Sequence, residues 1–355
     1  MAPSAVTNHT GVDADGVSAI DTLRQGPRRG SSPCSATSTA SAACSTRGWT
    51  TARTRGTGLP VYSLYGKNRR PTRRLRRPRR AGLRHPGRRC RFYTYSTTLG
   101  YVLEEGRTRH PRRGAGPASD RRRGGRGAGA ATTRAESFVA YHPVPVRHGM
   151  TFGSTATLFN AERKLDAKLE VVKVENWRRG DLYDRTGLVW RNPSPNMRSL
   201  TAALLYPGVG LLETTNLSVG RGTDRPFEQL GAPWIDGRQL AESLNAEELP
   251  GVRFVPTRFT PASSVHERKE CGGVQIYVTD WSRFESLPTG FAIATDPAEE
   301  ALPEDWQTRR YNVLLANQAA FDAVEKGQPW RALLKLAEPG RKAFLEVRKR
   351  YSLYD

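Results

Sequence analysis

The chain has 355 residues and a formal net charge of +22. This length exceeds the usual size of a single hydrophobic core, so two domains are expected. No run of 18 apolar residues occurs in the sequence, which argues against a membrane-spanning helix. Only one cysteine, Cys271, lies in sequence of ordinary composition, which argues against a disulfide framework or a zinc site.

The positive charge is concentrated in the first third of the chain. Residues 1–135 contain 28 Lys and Arg against 6 Asp and Glu, whereas residues 136–355 contain 28 of each sign. Arg accounts for 27 of the 28 basic residues in the first part, although either Lys or Arg would neutralise phosphate. Arg, Gly, Pro, Ala and Ser are also the residues that a GC-rich gene yields when it is read out of frame.

Three windows of this composition, 25–56, 69–90 and 106–134, interrupt sequence of ordinary character. The last window has no large apolar residue, so it cannot build a core. We interpret the windows as frame-shifted translations inside a normal reading frame and expect them to be disordered. The alternative is a genuine Arg-rich protein that binds nucleic acid or another polyanion. The windows lie between domain segments instead of forming a terminal arm, which disfavours that alternative.

The ordinary sequence before residue 136 falls in three islands, at 6–23, 57–67 and 91–105. Asn8 and His9 lie where a first strand would end and a helix would begin, which is where open α/β sheets bind ligands. Thr10 and Gly11, which follow them, fit a plain turn equally well. Tyr93 and Tyr95 alternate in RFYTY and are candidates to face a sugar, although aromatic alternation is more often core packing.

The segment from 137 to 177 predicts one layer of an α/β fold. Residues 137–151 are extended and interrupted by prolines, residues 156–169 have the apolar spacing of a helix, and residues 169–177 alternate like a strand. His148, in VRHGMT, is a candidate proton shuttle near neutral pH. The alternative is a hydrogen-bonded structural histidine.

One loop-rich segment, 188–236, carries most of the candidate site residues. Glu213 follows the apolar run VGLL, which predicts a strand, and a carboxylate at a strand end in a cleft can act as an acid or an electrostatic stabiliser. The alternative is a structural carboxylate paired with Arg221. Asn216 lies beside Glu213. Asn196, in the NPSPN loop, is a candidate binder of a hydroxyl or an amide, or else part of a connector stiffened by proline.

Arg221 is flanked by Gly220 and Gly222. Glycines allow the backbone to approach a ligand closely, and a guanidinium can then reach an anionic group. The alternative is a buried ion pair with Asp224 or Glu228.

Capping and periodicity predict the remaining elements. Asp236 can cap a helix at 237–249, and residues 252–261 and 273–280 alternate as strands. Helices are predicted at 311–326, 329–337 and 341–354. Strands followed by a helical tail favour a second domain of the α+β class.

Several of these runs, taken together, resemble one known family. The quoted segments are VTNHTGVD, TGLPVYSLYGK, RFYTYSTTLGYV, YHPVPVRHGMT, the long run from NPSPNMRSL to GAPWID, and CGGVQIYVTD. In collinear order they closely resemble the exo-β-N-acetylmuramidase family of bacterial peptidoglycan glycosidases. The resemblance covers the chain except for the three windows, which makes it far more specific than a single short motif.

The resemblance implies both a fold and a reaction. It implies a Rossmann-like α/β domain, placed here at 1–200, and a smaller C-terminal domain with a β-barrel-like sheet at 201–355, with the active cleft between them. Family members release terminal N-acetylmuramic acid from the non-reducing ends of peptidoglycan fragments. The chemistry calls for carboxylates and, near the lactyl carboxylate of the sugar, for a cationic or amide donor. No cofactor, metal, membrane span or nucleic acid is expected.

The resemblance implies site residues as well as departures from the family pattern. Glu213 is the candidate catalytic residue, and the candidate substrate-binding residues are Asn8, Tyr95, His148, Asn196, Asn216 and Arg221. The family has a Pro-Glu-His motif that would fall in 26–56 and is absent there, so we expect the chain as printed to be inactive. The family role implies a secreted or cell-envelope location, although the start MAPSAVTNHTG shows no signal peptide.

Overall fold

A computed structural model describes residues 90–106, 136–295 and 306–354 without a break, together with short stretches before residue 90. Those stretches are 4–7, 10–13, 15–18, 35–38, 52–53, 60–62, 64, 69–70 and 81–84. Window 106–134 therefore lies outside the described residues except for Gly106.

Short strands of the N-terminal part form a five-stranded sheet. They are β1 (Ser4–Thr7), β2 (Ser35–Ser38), β3 (Ala52–Arg53), β4 (Pro60–Tyr62) and β5 (Ala81–Arg84). The strand order is β3-β4-β2-β1-β5, and every pairing is parallel except the antiparallel pair β3–β4. β2, β3 and β5 lie inside the Arg-rich windows, where the sequence did not predict strands.

Helices and a second sheet make up the rest of the fold. The helices are α1 (Tyr95–Glu105), α2 (Phe152–Glu162), α3 (Leu200–Val209), α4 (Gly237–Ala246), α5 (Ser286–Ala294), α6 (Asn312–Leu315), α7 (Gln318–Glu325) and α8 (Trp330–Tyr351). Among the described residues, 3₁₀ turns lie at Tyr183–Thr186 and Gly210–Thr214. The second sheet is antiparallel, with order β6 (Gln229–Ala232), β8 (Cys271–Val278) and β7 (Val252–Phe259). The protein is thus mixed α/β, as the sequence predicted.

Helix α4 shows why the sequence forms these elements where it does. The Asp236 side chain accepts hydrogen bonds from the backbone amides of Arg238 and Gln239 at 2.7 and 3.3 Å, which satisfies two of the donors that a helix start leaves unpaired. Leu240 and Leu244 lie one turn apart and are both fully buried, because that face packs on β7 and β8. The predicted cap and both predicted strands are confirmed.

Two other predicted elements differ from the structure. Helix α2 begins at Phe152 after the Thr151 cap, earlier than predicted. Residues 169–177 form no strand: Val172 and Val174 are 86% and 64% exposed, and no described strand pairs with them. Alternation needs a ladder partner and a face to bury before it produces a strand.

The C-terminal helices also differ from their predicted bounds. The predicted helix 311–326 divides into α6 and α7, because Ala316 takes a left-handed conformation with φ of 49° and Asn317 caps the next helix. The predicted helices 329–337 and 341–354 are one continuous helix, α8, which contains Pro339. A proline removes one helical hydrogen bond but does not always end the helix.

The hydrophobic core joins the segment that begins at Cys90 to the C-terminal half. Phe92, Tyr93 and Tyr95 pack in one cluster with residues of α3, β6, β8 and α5. A second cluster joins α1 and α2 to Phe344 of α8. Within the described residues, no helix combines the length and apolar composition that a membrane span requires.

Candidate active site

Glu213 lies on a 3₁₀ turn and not at a strand end, which corrects the prediction from the run VGLL. Helix α3 contains Pro207 and passes directly into the turn Gly210–Thr214. The Ser286 hydroxyl fills the irregular end of the helix, accepting from the Gly208 amide at 2.7 Å and donating to the Leu205 carbonyl at 3.1 Å. The direction in which Glu213 points is therefore set by a helix end that α5 braces.

A tight Gly-Arg-Gly turn brings Arg221 to Glu213. Gly220 and Gly222 have φ of 74° and 84°, a conformation that glycine adopts without strain. A Cβ on Gly222 would lie 2.5 Å from the Ser263 carbonyl oxygen, so no side chain fits there. Arg221 Nη1 donates to Glu213 Oε1 at 2.6 Å.

The structure therefore selects one of the partners considered for Arg221. Asp224 is paired with Arg198, whose Nη1 lies 3.0 Å from Asp224 Oδ1. Glu228 accepts a hydrogen bond from the Ser199 hydroxyl. Arg221 pairs with Glu213, which was the structural alternative for that carboxylate, and the pair remains reachable because the Arg221 side chain is 43% exposed.

Opposing influences set the proton affinity of Glu213. The Glu213 side chain is only 16% exposed, and this burial raises the pKa of its carboxyl because the charged form loses solvation. The Arg221 guanidinium, which donates a hydrogen bond to this carboxyl, acts in the opposite direction on that pKa. The net pKa lies above the ordinary value for glutamate, so Glu213 is better suited than a surface carboxylate to hold a proton for transfer.

Aromatic rings surround Tyr206, whose ring lies against Gly210 in the turn that carries Glu213. The Tyr206 ring centroid lies 5.2 Å from that of Phe92, 5.8 Å from that of Tyr93 and 4.8 Å from that of Phe227. Buried aromatic walls exclude water and so strengthen the electrostatic interactions inside them. Burial also raises the pKa of the neighbouring Cys90 thiol to about 12, so this cysteine is neutral at physiological pH.

Tyr95 connects Tyr93 to the NPSPN loop. Its ring lies edge-on to Tyr93 with centroids 4.9 Å apart, and its hydroxyl donates to the Pro193 carbonyl at 2.9 Å. Pro193 belongs to the NPSPN loop, in which Asn196 is half-buried. Tyr95 therefore joins this loop to Tyr93, and the Tyr95 hydroxyl is already engaged.

Two other predicted binding residues have structural partners. Asn216 Oδ1 accepts from the Gln307 backbone amide at 2.9 Å, and its backbone oxygen lies 2.7 Å from His266 Nε2. His148 is buried, and its Nδ1 accepts from the Met150 amide at 3.2 Å. Asn8, like its neighbour His9, lies outside the described residues.

The sequence analysis missed Tyr206. The residue precedes Glu213 by seven positions in LLYPGVGLLE, and a single tyrosine in an apolar run carries no sign that its ring will lie against Gly210, in the turn that carries Glu213. Among the described residues, no three His, Cys, Asp or Glu side chains come together so as to hold a metal ion.

A largely buried carboxyl that pairs with a half-exposed guanidinium can take part in acid–base chemistry. Family models identify the class. Residues 4–201 match the N-terminal model of the exo-β-N-acetylmuramidase NamZ, and residues 204–354 match its C-terminal model. The chain belongs to the exo-β-N-acetylmuramidase NamZ family of peptidoglycan glycoside hydrolases.

Individual relatives agree with this assignment. The chain is 36% identical over 317 residues to the peptidoglycan β-N-acetylmuramidase NamZ of Bacillus subtilis (strain 168), covering 84% of this chain and 73% of that protein. It is 26% identical to a DUF1343 family protein from Bacteroides fragilis, with a TM-score of 0.84 over 100% of this chain and 94% of that one. A second DUF1343 protein of that organism, 20% identical with a TM-score of 0.71, has the same fold.

Proposed function

We propose that this chain is by family a peptidoglycan exo-β-N-acetylmuramidase, specific for terminal N-acetylmuramic acid at the non-reducing ends of peptidoglycan fragments, with little or no turnover because the Pro-Glu-His motif is missing. The observation that carries the proposal is the pair formed by Glu213 and Arg221, a buried carboxyl held by a half-exposed guanidinium. The relatives described above support this reaction and give no support to the polyanion-binding alternative.

Glu213 is the proposed acid. Cleavage of the glycosidic bond transfers a proton to the leaving oxygen while water adds to the sugar carbon. A carboxyl whose pKa is raised by burial holds its proton to higher pH than a surface glutamate does. The carboxylate that completes such a pair in glycosidases is not assigned to a residue of this chain.

Arg221 is the proposed anchor for the lactyl carboxylate of the sugar. Only one of its guanidinium nitrogens has a carboxylate partner among the described residues, and Nε has no hydrogen-bond partner there. A planar guanidinium can hold two carboxylates on different edges, which an ammonium group does less well. N-acetylglucosamine lacks the lactyl group, so this contact would distinguish the two sugars.

The remaining proposals rest on the family. Tyr95 and Asn196 would line the sugar site beside Glu213, with Asn8, His148 and Asn216 as further binding residues. The five-stranded sheet would belong to a Rossmann-like domain over 1–200 and the three-stranded sheet to a barrel-like domain over 201–355. Because the Pro-Glu-His motif is absent from 26–56, we expect little or no turnover by the chain as printed, so binding must be measured beside hydrolysis.

The test uses a disaccharide with N-acetylmuramic acid at its non-reducing end. Release of the free sugar is measured for the unaltered chain, for E213Q and for the control E247Q. Glu247 lies in the same half of the chain, but it accepts its hydrogen bond from Trp330 at 2.7 Å, away from Arg221. Any turnover should fall at least about 100-fold in E213Q, the usual contribution of a positioned acid, and should persist in E247Q.

Binding is measured by calorimetry with each sugar alone. We expect the chain to bind N-acetylmuramic acid more tightly than N-acetylglucosamine. A chain that neither releases the sugar nor prefers muramic acid over glucosamine would contradict the proposed function.

A further inference from the structure

The Thr223 hydroxyl closes the turn that carries Arg221. It donates to the Gly220 carbonyl at 2.6 Å, and it accepts from Gln229 Nε2 at 3.0 Å and from the Arg225 amide at 3.1 Å. A threonine hydroxyl has one proton to donate and two lone pairs with which to accept, so these partners use its whole capacity. Because its single proton goes to Gly220, the Gln229 side chain must be the donor in the contact between them.

Gln229 is a rigid point of attachment for this turn. It lies on β6, where it pairs with Gln275 of β8, and it is only 6% exposed. A Cβ on Gly220 would lie 2.9 Å from the Gln229 carbonyl oxygen and 3.0 Å from its Cγ, so the turn lies directly against this residue. The side-chain hydrogen bond therefore joins the turn to a sheet and not to another loop.

The far end of the turn has a second attachment. The Gly222 carbonyl accepts from the Ala262 amide at 2.9 Å, in the loop that joins β7 to β8. Arg221 lies between the two attachments, so its backbone is held from both sides, and the backbone determines where the guanidinium can reach. Arg221 Nε is buried although the side chain as a whole is 43% exposed.

We propose that Gln229 is a positioning residue that holds Arg221 against Glu213 through the Thr223 hydroxyl. The proposal rests on the proposed function, because it assumes that Arg221 recognises the lactyl carboxylate. A guanidinium recognises a carboxylate through N–H groups of fixed geometry. Recognition of the lactyl group would therefore depend on how firmly the turn is held, whereas contacts with the neutral part of the sugar would not.

Matched variants separate this role from a general effect on stability. Q229M and T223V each remove the hydrogen-bonding group at similar side-chain size, and T223S keeps the hydroxyl. The control is N245L, because Asn245 also makes side-chain hydrogen bonds to backbone in this half of the chain. Its amide group bonds to the Phe254 carbonyl and amide at 2.8 and 3.1 Å, which joins α4 to β7 and not to the turn.

The first readout is the hydrogen exchange of the Arg221 Nε–H, followed by ¹⁵N NMR and assigned by its loss in R221Q. A buried N–H exchanges slowly while its surroundings stay closed. Exchange should become about fivefold faster or more in Q229M and T223V, which corresponds to the loss of one ordinary hydrogen bond. It should stay unchanged in T223S and N245L. The double variant should exchange no faster than T223V alone, since both changes act through one contact.

The second readout is calorimetry with N-acetylmuramic acid and with N-acetylglucosamine. The preference for N-acetylmuramic acid should fall about fivefold or more in Q229M and T223V and persist in T223S and N245L. If Q229M does not fold, T223V gives the same test, because it removes the acceptor of the same hydrogen bond. Unchanged exchange in these variants, equal acceleration in N245L, or additive effects in the double variant would overturn the proposal.

The two readouts also distinguish this proposal from the proposed function. If exchange at Arg221 accelerates as expected while the unaltered chain does not prefer N-acetylmuramic acid, the proposed function fails and Gln229 holds a structural ion pair. If the unaltered chain prefers N-acetylmuramic acid and Q229M changes neither exchange nor preference, the proposed function stands and the role of Gln229 fails.

Discussion

Arg221 is the residue at which a structural contact and a proposed functional contact meet. Its guanidinium neutralises a buried carboxyl on one side, and 43% of the side chain is exposed on the other. Breaking a buried pair from one side leaves an uncompensated charge. In this site the carboxyl can respond by taking up a proton, since the pKa of Glu213 is already raised by burial and loses the opposing influence of Arg221.

In R221Q, binding of N-acetylmuramic acid should weaken by about tenfold or more, because one charge-assisted contact of about 1.4 kcal/mol is lost. Binding of N-acetylglucosamine should change little. Calorimetry with both sugars measures the difference. R198Q is the control, because Arg198 forms an exposed pair with Asp224. Equal weakening for both sugars would argue against the lactyl contact.

At the scale of elements, the end of α3 and the start of α5 form one unit. The two helices meet through glycines: a Cβ on Gly208 would lie 1.8 Å from the Ser286 carbonyl oxygen, and one on Gly290 would lie 2.5 Å from the Gly208 carbonyl carbon. Pro207 has no amide hydrogen to donate. The Ser286 hydroxyl contacts the same irregular stretch through Gly208.

S286A should therefore lower the free energy of unfolding by about 1–3 kcal/mol, because it leaves a buried amide and a buried carbonyl without their partner. Urea denaturation measures the loss. The control is S282A, since Ser282 is exposed and bonds only to Asp280 among the described residues. A loss for S286A no larger than that for S282A would show that the hydroxyl does not brace the helix end.

At the scale of the whole molecule, Arg91 connects the two halves. It is fully buried, its amide donates to Val146, and its guanidinium donates to the carbonyls of Val144, Leu314 and Leu315. Burial lowers the pKa of Arg91 to about 10, so it remains charged at physiological pH. The guanidinium thus joins the carbonyl end of α6 to a segment far earlier in the chain, since Arg91 and Leu315 are 224 positions apart.

R91M should lower the free energy of unfolding by more than about 3 kcal/mol, because several buried carbonyls lose a charged donor together. The control is R258M, which removes an exposed ion pair with Glu270 and should cost less than about 1 kcal/mol. Urea denaturation measures the free energy of unfolding of both variants. If R91M lowered the free energy of unfolding no more than R258M does, the prediction would be wrong.

The sequence by itself determined the family, the mixed α/β class, and the elements whose signals are local. Asp236 and the alternation of β7 and β8 act over a few residues, so they can be read directly. The Gly-Arg-Gly run likewise pointed to Arg221, and the motif around Glu213 pointed to its carboxyl.

Only the tertiary structure decided which groups these residues meet. Residues 169–177 alternate but pair with no strand of the described residues, and VGLL continues a helix because α5 braces it. Arg91 finds its carbonyl partners more than 200 positions later in the chain. The Tyr206 ring packs against Gly210, in the turn that carries Glu213. Burial and hydrogen-bond satisfaction depend on such non-local neighbours, and no local pattern of side chains encodes them.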